Sequence, residues 1–288
     1  MNILVTGGTG TVGSQVVREL LTRGAQVSVL TRDAAKASNL PAGVKAVTGD
    51  LSTVDTVKRV FKGSDGVFLI NTVSPTEVYE GLLSVCALRE QGVKRLVYVS
   101  VQDADKAAWL PHFGGKLGVE EAVRKSGVAS TILRPNNFYQ NDYWFKDVLL
   151  QYGVYPQPIG DVGLNRVDVR DIAEAAAVAL TSSGHEGQTY DLVGPEAHTG
   201  ATTAAVWSRA LGKPIAYGGN DLEAWEKQSL QYMPDWAVFD FKHMYDYFQK
   251  HGLKASPDAI DRQTKLLGHS PRSYGAFVSE TAAAWQKG

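Results

Sequence analysis

The stretch VTGGTGTVG, residues Val5–Gly13, decides the fold of this 288-residue chain. It directly follows the apolar run 2–6 and opens a stripe of apolar residues at helical spacing that ends at Gly24. Within it, Gly8, Gly10 and Gly13 satisfy the pattern G-x-G-x-x-G. Such glycines let the chain turn sharply, bring backbone amides close to a pyrophosphate and pack a helix against a strand. We therefore predict a dinucleotide-binding strand–loop–helix unit.

The same alternation of apolar runs and helical patterns continues through the first two-thirds of the chain. Strand-like runs occupy residues 2–6, 26–31, 44–49, 66–70, 95–100, 129–134 and 188–194. Near-continuous apolar strands separated by helices indicate a parallel sheet covered on both faces. The predicted fold class is α/β, a doubly wound parallel Rossmann sheet with a smaller, mostly helical C-terminal lobe. We assign residues 1–135 and about 165–194 to the dinucleotide-binding domain, and residues 136–164 and 195–288 to a substrate-binding lobe.

The composition narrows the class of partner. Lys and Arg number 29 and Asp and Glu 30, so the charge balance gives no footprint for nucleic acid or an anionic membrane. No apolar run approaches the length of a membrane span. The single cysteine, Cys86, lies in an apolar helical stretch, which predicts a packed thiol and a reducing compartment. We expect a cytoplasmic protein with a small-molecule substrate, without nucleic-acid or membrane partners. The histidines have no metal-ligand spacing, so we predict no metal.

The residue at the end of the second strand selects the cofactor. An acidic side chain there would accept from the ribose 2′-hydroxyl, whereas an arginine would bind a 2′-phosphate. Arg32 takes this place, with Lys36 one helical turn later, and Asp33 is expected to cap the following short helix. We therefore expect NADP(H) rather than NAD(H). Asp50 after the third strand is expected near the adenine, with a helix cap for 53–60 as the alternative.

Ligands of such folds bind at the carboxyl ends of the strands, which selects the candidate cofactor residues. At the ends of the first five strands these are Thr6, Gly7, Gly8, Thr9, Gly10, Thr11, Val12, Gly13, Arg32, Asp50, Leu51, Asn71, Thr72, Val73 and Ser100. For Ser100, termination of the strand is the alternative role.

Several stretches together resemble the NmrA-like branch of the atypical short-chain dehydrogenases/reductases, which includes NADP-binding, quinone-reductase-like members. They are VTGGTGTVG, TRD, HFGGKLGVEEAVRKSGVASTILRPNNF, VDVRDIAEAAAVAL and YDLVGPEAHT. The resemblance implies that Lys116 reaches the nicotinamide ribose and that Pro135, Asn136, Asn137 and Phe138 border the nicotinamide pocket. It also raises a homodimer as an alternative to a monomer.

The chain differs from the wider superfamily at the residue that donates a proton to the substrate. Active members carry Tyr-x-x-x-Lys, in which the lysine lowers the pKa of a tyrosine that protonates the substrate. Here His112 stands in the tyrosine position and Lys116 in the lysine position. Both are candidate catalytic residues. His112 either replaces the phenol or is structural, and Gly114 and Gly115 weaken the helix that would place it beside Lys116.

Aromatic residues supply the candidate substrate site. Phe138, Tyr139, Tyr143 and Trp144 could form a wall for a planar substrate, or could pack the second lobe. Trp109 belongs either to a flap or to an exposed loop, and His112 could also touch the substrate.

Two functions follow as alternatives. The favoured one is an NADP(H)-dependent oxidoreductase that transfers hydride to or from a planar quinone-like, enone or aromatic small molecule, with a polyketide-type metabolite as one specific case. The alternative is a catalytically weak regulatory protein that senses NADP(H).

Overall fold

The computed structural model describes residues 1–287, with all their side chains except those of Ala34 and Lys36. The chain forms two compact units. The first contains Met1–Pro135 and Val169–Asp191, and the second contains Asn136–Asp168 and the chain from Leu192 onward.

The first unit is built on a seven-stranded sheet. Its strands are β1 (Asn2–Thr6), β2 (Gln26–Thr31), β3 (Lys45–Thr48), β4 (Gly66–Leu69), β5 (Arg95–Val99), β6 (Ala129–Pro135) and β8 (Thr189–Leu192). They lie in the order β3-β2-β1-β4-β5-β6-β8, and β1 to β6 pair in parallel. The strand order reverses direction between β1 and β4, the place where open α/β sheets bind their ligands.

Five helices flank this sheet: α1 (Thr11–Thr22), α2 (Val54–Val60), α3 (Glu77–Glu90), α4 (Pro111–Lys125) and α5 (Val169–Thr181). Apolar side chains of α2, α3 and α4 pack with the central strands in one core cluster, to which Phe61, Leu88 and Val123 contribute with no exposed surface. Helices α1 and α5 lie against each other. A short 3-10 helix over Ala34–Asn39 follows β2.

The second unit is mainly helical. It holds α6 (Gly200–Leu211), α7 (Leu222–Ser229), α8 (Asp235–His251), α9 (Ala259–Leu267) and α10 (Tyr274–Lys287), with a 3-10 helix over Tyr139–Phe145 and a π-helix over Val148–Tyr152. Two short strands, β7 (Val154–Tyr155) and β9 (Ala216–Tyr217), pair in parallel. Among residues 1–287, no helix is both long and apolar enough to cross a membrane.

A buried ion pair organises the second unit. Arg166 and Asp142 have no exposed side-chain surface, and Arg166 Nη2 lies 2.7 Å from Asp142 Oδ1. Asp142 also accepts hydrogen bonds from Trp207 Nε1 at 3.0 Å, from the Tyr274 hydroxyl at 2.5 Å and from the Tyr155 hydroxyl at 3.2 Å. Because the carboxylate is surrounded by donors, its charge is compensated despite burial.

Candidate active site

The loop after β1 has no room for a side chain at Gly8 or Gly13. A Cβ at Gly13 would lie 2.2 Å from the Gly7 carbonyl oxygen, and a Cβ at Gly8 would lie 2.7 Å from Val29 Cγ1. Gly7 has a φ of 60°, in the left-handed region, and its carbonyl accepts from the Gly10 amide at 2.9 Å. Gly10 is the N-cap of α1 and gives no side-chain cap, so the first amides of α1 keep no side-chain acceptor. This cradle fits the pyrophosphate of a dinucleotide.

Two polar residues, Thr6 and Asn71, lie at or just after the carboxyl ends of β1 and β4. The Thr6 hydroxyl donates to the Ile70 carbonyl at 2.9 Å and accepts from the Ile70 amide at 2.8 Å. Asn71 follows, 5 % exposed, and neither atom of its amide has a hydrogen-bond partner within residues 1–287. A buried side-chain amide without hydrogen-bond partners lowers the stability of the folded protein. Its position at the switch point suits it to a polar group of a bound cofactor.

Arg32 and Asp33 directly follow β2. The Asp33 carboxylate accepts the Ala35 amide at 2.9 Å and caps the following 3-10 helix, as the sequence predicts. Arg32 is exposed. The side chain of Lys36 lies outside the described part of the chain.

Asp50 does not cap α2. The N-cap of that helix is Thr53, and the Asp50 carboxylate instead accepts the Ser52 amide at 2.8 Å in the preceding turn. Hydrogen bonds from Ser52, and the nearby charge of Arg32, lower the pKa of Asp50 despite its slight burial. The helix-cap alternative for this residue is therefore wrong. The other candidate residues at these strand ends differ in exposure: Leu51 and Ser100 are buried, Val73 is half-buried and Thr72 is exposed.

Helix α4 runs unbroken through both glycines that were expected to weaken it. His112 and Lys116 therefore lie one turn apart on this helix, 9 % and 7 % exposed. Gly114 is required by packing, because a Cβ there would lie 2.2 Å from the Ala108 carbonyl oxygen. The imidazole of His112 meets the ring of Phe113 edge-on at 4.7 Å.

Lys116 has an acidic partner that the sequence analysis missed. Its Nζ lies 2.5 Å from Oε1 of Glu77, the first residue of α3, and Glu77 is 4 % exposed. The available signal was an acidic residue in the first turn of the helix after β4, where the helix dipole favours a carboxylate. Its lysine partner, on another helix, could not be read from the sequence.

The charge of Glu77 acts on the phenol of Tyr98, but this phenol is unsuited to replace the missing tyrosine. Tyr98, within β5, has no exposed surface. Burial raises its pKa well above the ordinary value of 10.0, and the charges of Glu77 and Glu120 raise it further. Glu120 is itself held by Arg134, through contacts of 2.8 Å from both Nε and Nη2. We conclude that Tyr98 stays neutral and belongs to the core.

Residues after β6 lie in the second unit, where two candidates prove structural. Asn136 is 1 % exposed, and its amide nitrogen donates to the Leu253 carbonyl at 2.6 Å while its oxygen accepts the Asn137 amide at 2.7 Å. Tyr139 is also 1 % exposed, and its hydroxyl donates to the Arg272 carbonyl at 3.1 Å. We therefore correct both assignments: these side chains pack the second unit and present no surface to a ligand.

The remaining aromatic candidates are more open. Trp144 and Trp109 are 75 % and 60 % exposed, and Tyr143 packs on Phe277 at 5.6 Å between ring centroids. Phe138 and Asn137 are half-buried, and Pro135, which ends β6, is buried. Cys86 is exposed on α3, so the prediction of a packed thiol is wrong.

The model of the NmrA-like family matches residues 1–277. This chain belongs to the NmrA-like family. The predictions of family and fold class are thereby confirmed.

Three relatives show what this NmrA-like chain is similar to. An NAD(P)H azoreductase of Xenophilus azovorans is 34 % identical, over 98 % of this chain and 99 % of the relative. The crystal structure of an NADPH-dependent quinone oxidoreductase of Escherichia coli with NADPH is 25 % identical, with a TM-score of 0.86 over 97 % and 99 % of the two chains. A triphenylmethane reductase of Citrobacter sp. is 25 % identical, with a TM-score of 0.85 over 99 % and 100 %.

Proposed function

We propose that this protein is an NADPH-dependent oxidoreductase that transfers hydride to a planar quinone-like, enone or aromatic small molecule. Polyketide-type metabolites belong to that class. One observation carries the proposal: the buried residues His112 and Lys116 follow β5, at the sheet edge that also carries the glycine cradle after β1. When bound, NADPH supplies the hydride, and the protein supplies position and electrostatics.

The coarser predictions, an oxidoreductase and an NADP(H) cofactor, are confirmed by the comparisons. The relatives include an NAD(P)H azoreductase, and the quinone oxidoreductase was crystallised with NADPH. The choice among azo, quinone and other aromatic acceptors belongs to this proposal.

Each strand end contributes one task in cofactor binding. The α1 amides and the loop glycines hold the pyrophosphate, because no Cβ intervenes. Arg32, exposed directly after β2, binds the 2′-phosphate, because a guanidinium matches the geometry of a phosphate. Asn71 offers its buried amide to the ribose side, and Lys116 donates from its ammonium to the nicotinamide ribose.

The substrate class follows from the weak provision for proton transfer. His112 replaces the phenol of the wider superfamily, and Tyr98 is too deeply buried to substitute for it. A site of this kind suits acceptors whose reduced form holds the added electron pair with little help from an acid, such as quinones and extended aromatic cations. His112 is the residue that we assign to any proton that is delivered.

We assign dinucleotide binding to residues 1–135 and about 165–194, and substrate binding to residues 136–164 and 195–288. Phe138, Tyr143 and Trp144 of the substrate-binding lobe, together with Trp109 of the dinucleotide-binding domain, remain the predicted substrate contacts, because flat rings stack on flat acceptors.

The test is anaerobic oxidation of NADPH with a panel of quinones, azo dyes, enones and triphenylmethane dyes. The wild type is compared with Lys116→Ala and with Lys125→Ala, a control at the exposed end of the same helix. We expect turnover with a planar acceptor that collapses in Lys116→Ala and persists in Lys125→Ala. Tight NADPH binding with no turnover on any acceptor would overturn the proposal in favour of a regulator that senses the cofactor.

A further inference from the structure

We propose that Glu77 is a positioning residue that fixes the ammonium of Lys116 for the cofactor and compensates its charge. The inference rests on the proposed function, because it assigns Lys116 to the nicotinamide ribose. Its basis is the 2.5 Å contact between Lys116 Nζ and Glu77 Oε1, in which the two side chains are 8 % and 5 % exposed.

The contact depends on a close approach of α3 and α4. A Cβ at Gly115 would lie 2.8 Å from Val78 Cγ2, and a Cβ at Gly81 would lie 2.7 Å from Val119 Cγ2. Glycine at both positions therefore lets the two helices come near enough for their side chains to meet. Glu77 precedes Val78 in the chain and Lys116 follows Gly115, so both residues flank the Gly115–Val78 contact.

Burial makes the acidic partner necessary. An ammonium removed from water without a counter-charge is strongly disfavoured, and a long, flexible lysine stem would otherwise carry it toward solvent. One of the three N–H groups of the Lys116 ammonium donates to Glu77, and the other two can donate to ligand hydroxyls. Glu77 is the first residue of α3, where the positive end of the helix dipole attracts its negative carboxylate.

The pair also changes what Lys116 can do. In the Tyr-x-x-x-Lys arrangement, an uncompensated lysine charge acidifies the neighbouring phenol. Here the charge is balanced within the protein, and the neighbour one turn earlier is His112. We infer that Lys116 serves as a fixed hydrogen-bond donor and does not serve as an electrostatic activator of an acid.

A purely structural ion pair between α3 and α4 would have different consequences. Its loss would lower thermal stability, and cofactor affinity measured well below the melting temperature would stay unchanged. A positioning role couples the two residues through the ligand, so the effect of changing Glu77 on cofactor affinity depends on whether Lys116 is present.

The experiment is a double-mutant cycle on the full-length protein with Glu77→Gln, Lys116→Met and the double variant. The readout is the NADPH dissociation constant from nicotinamide fluorescence, with the melting temperature of each variant. Glu77→Gln should weaken NADPH binding about tenfold in the wild-type background and less than about twofold beside Lys116→Met. Glu90→Gln, an exposed change at the last residue of α3, is the matched control and should leave the constant unchanged.

Glu77→Asp gives a second arm should the glutamine variant fail to fold. It keeps the charge but withdraws it by one methylene, so affinity should fall between the wild type and Lys116→Met. Equal losses from Glu77→Gln in both backgrounds, or an unchanged constant with a lowered melting temperature, would overturn the positioning role. Because the cycle measures only the NADPH dissociation constant, it tests the role of Glu77 even if the protein reduces no acceptor.

Discussion

Removal of the Arg32 guanidinium tests the cofactor assignment with a predicted magnitude. Arg32 is exposed directly after β2, and Oδ1 of the neighbouring Asp33 accepts the Ala35 amide as the cap of the following 3-10 helix. Because the site is open to solvent, we take the low end for a charge-assisted hydrogen bond, about 1.5 kcal/mol. That energy corresponds to about a tenfold change in dissociation constant.

The assay is titration of NADPH and of NADH against the wild type, Arg32→Ala and Arg18→Ala, the last being an exposed arginine on α1. Arg32→Ala should raise the NADPH constant about tenfold and move the NADH constant by less than about twofold, since NADH has no 2′-phosphate. Arg18→Ala should change neither. An equal loss for both cofactors in Arg32→Ala would refute the assignment of this residue to the 2′-phosphate.

Further predictions concern the loop, the helix and a buried acid. Gly13→Ala should abolish NADPH binding and lower the melting temperature, because its Cβ would lie 2.2 Å from the Gly7 carbonyl oxygen. As a control, the Cβ of Gly118→Ala would meet no atom within 4 Å, so this change should stabilise the protein by about 0.5–1 kcal/mol in thermal unfolding. His112→Phe should cut turnover and leave the NADPH constant nearly intact; unchanged turnover would return this residue to a structural role. Burial would raise the pKa of Glu120, but hydrogen bonds from Arg134 and Arg124 keep it below 4.5. Its contribution to stability is therefore present above that value and lost as pH falls through the lower folded pKa. Glu120→Gln should cost about 3 kcal/mol in denaturant unfolding at pH 7, and a cost that persisted at acid pH would contradict this reasoning.

Local pattern was sufficient for the sheet. The predicted strands 2–6 and 26–31 match β1 and β2, and the run 129–134 falls one residue short of β6. These strands are nearly continuous apolar runs, so each carries its own signal. For the second unit the pattern predicted only a mostly helical lobe, and the bounds of α6 to α10 come from the structure.

The site was less accessible to sequence reasoning because it depends on long-range contacts. The pairing of Lys116 with Glu77 joins residues 39 apart on two helices. Likewise, the burial of Tyr139 and Asn136 follows from partners near Arg272 and Leu253. Gly114 was expected to weaken the helix because glycine has a low helix propensity. The structure shows that glycine is required there, because any side chain would collide with the Ala108 carbonyl.

The central claim is direct transfer of hydride from bound NADPH to a planar acceptor. The most direct test is anaerobic single-turnover oxidation of NADPH deuterated at one or the other C4 position, with the best acceptor of the panel. We predict slower oxidation for deuterium at one of the two positions only, because a cofactor held by Lys116 and the glycine loop presents one face. Oxidation that is insensitive to deuterium at both positions, or bound NADPH that no acceptor oxidises, would contradict the account.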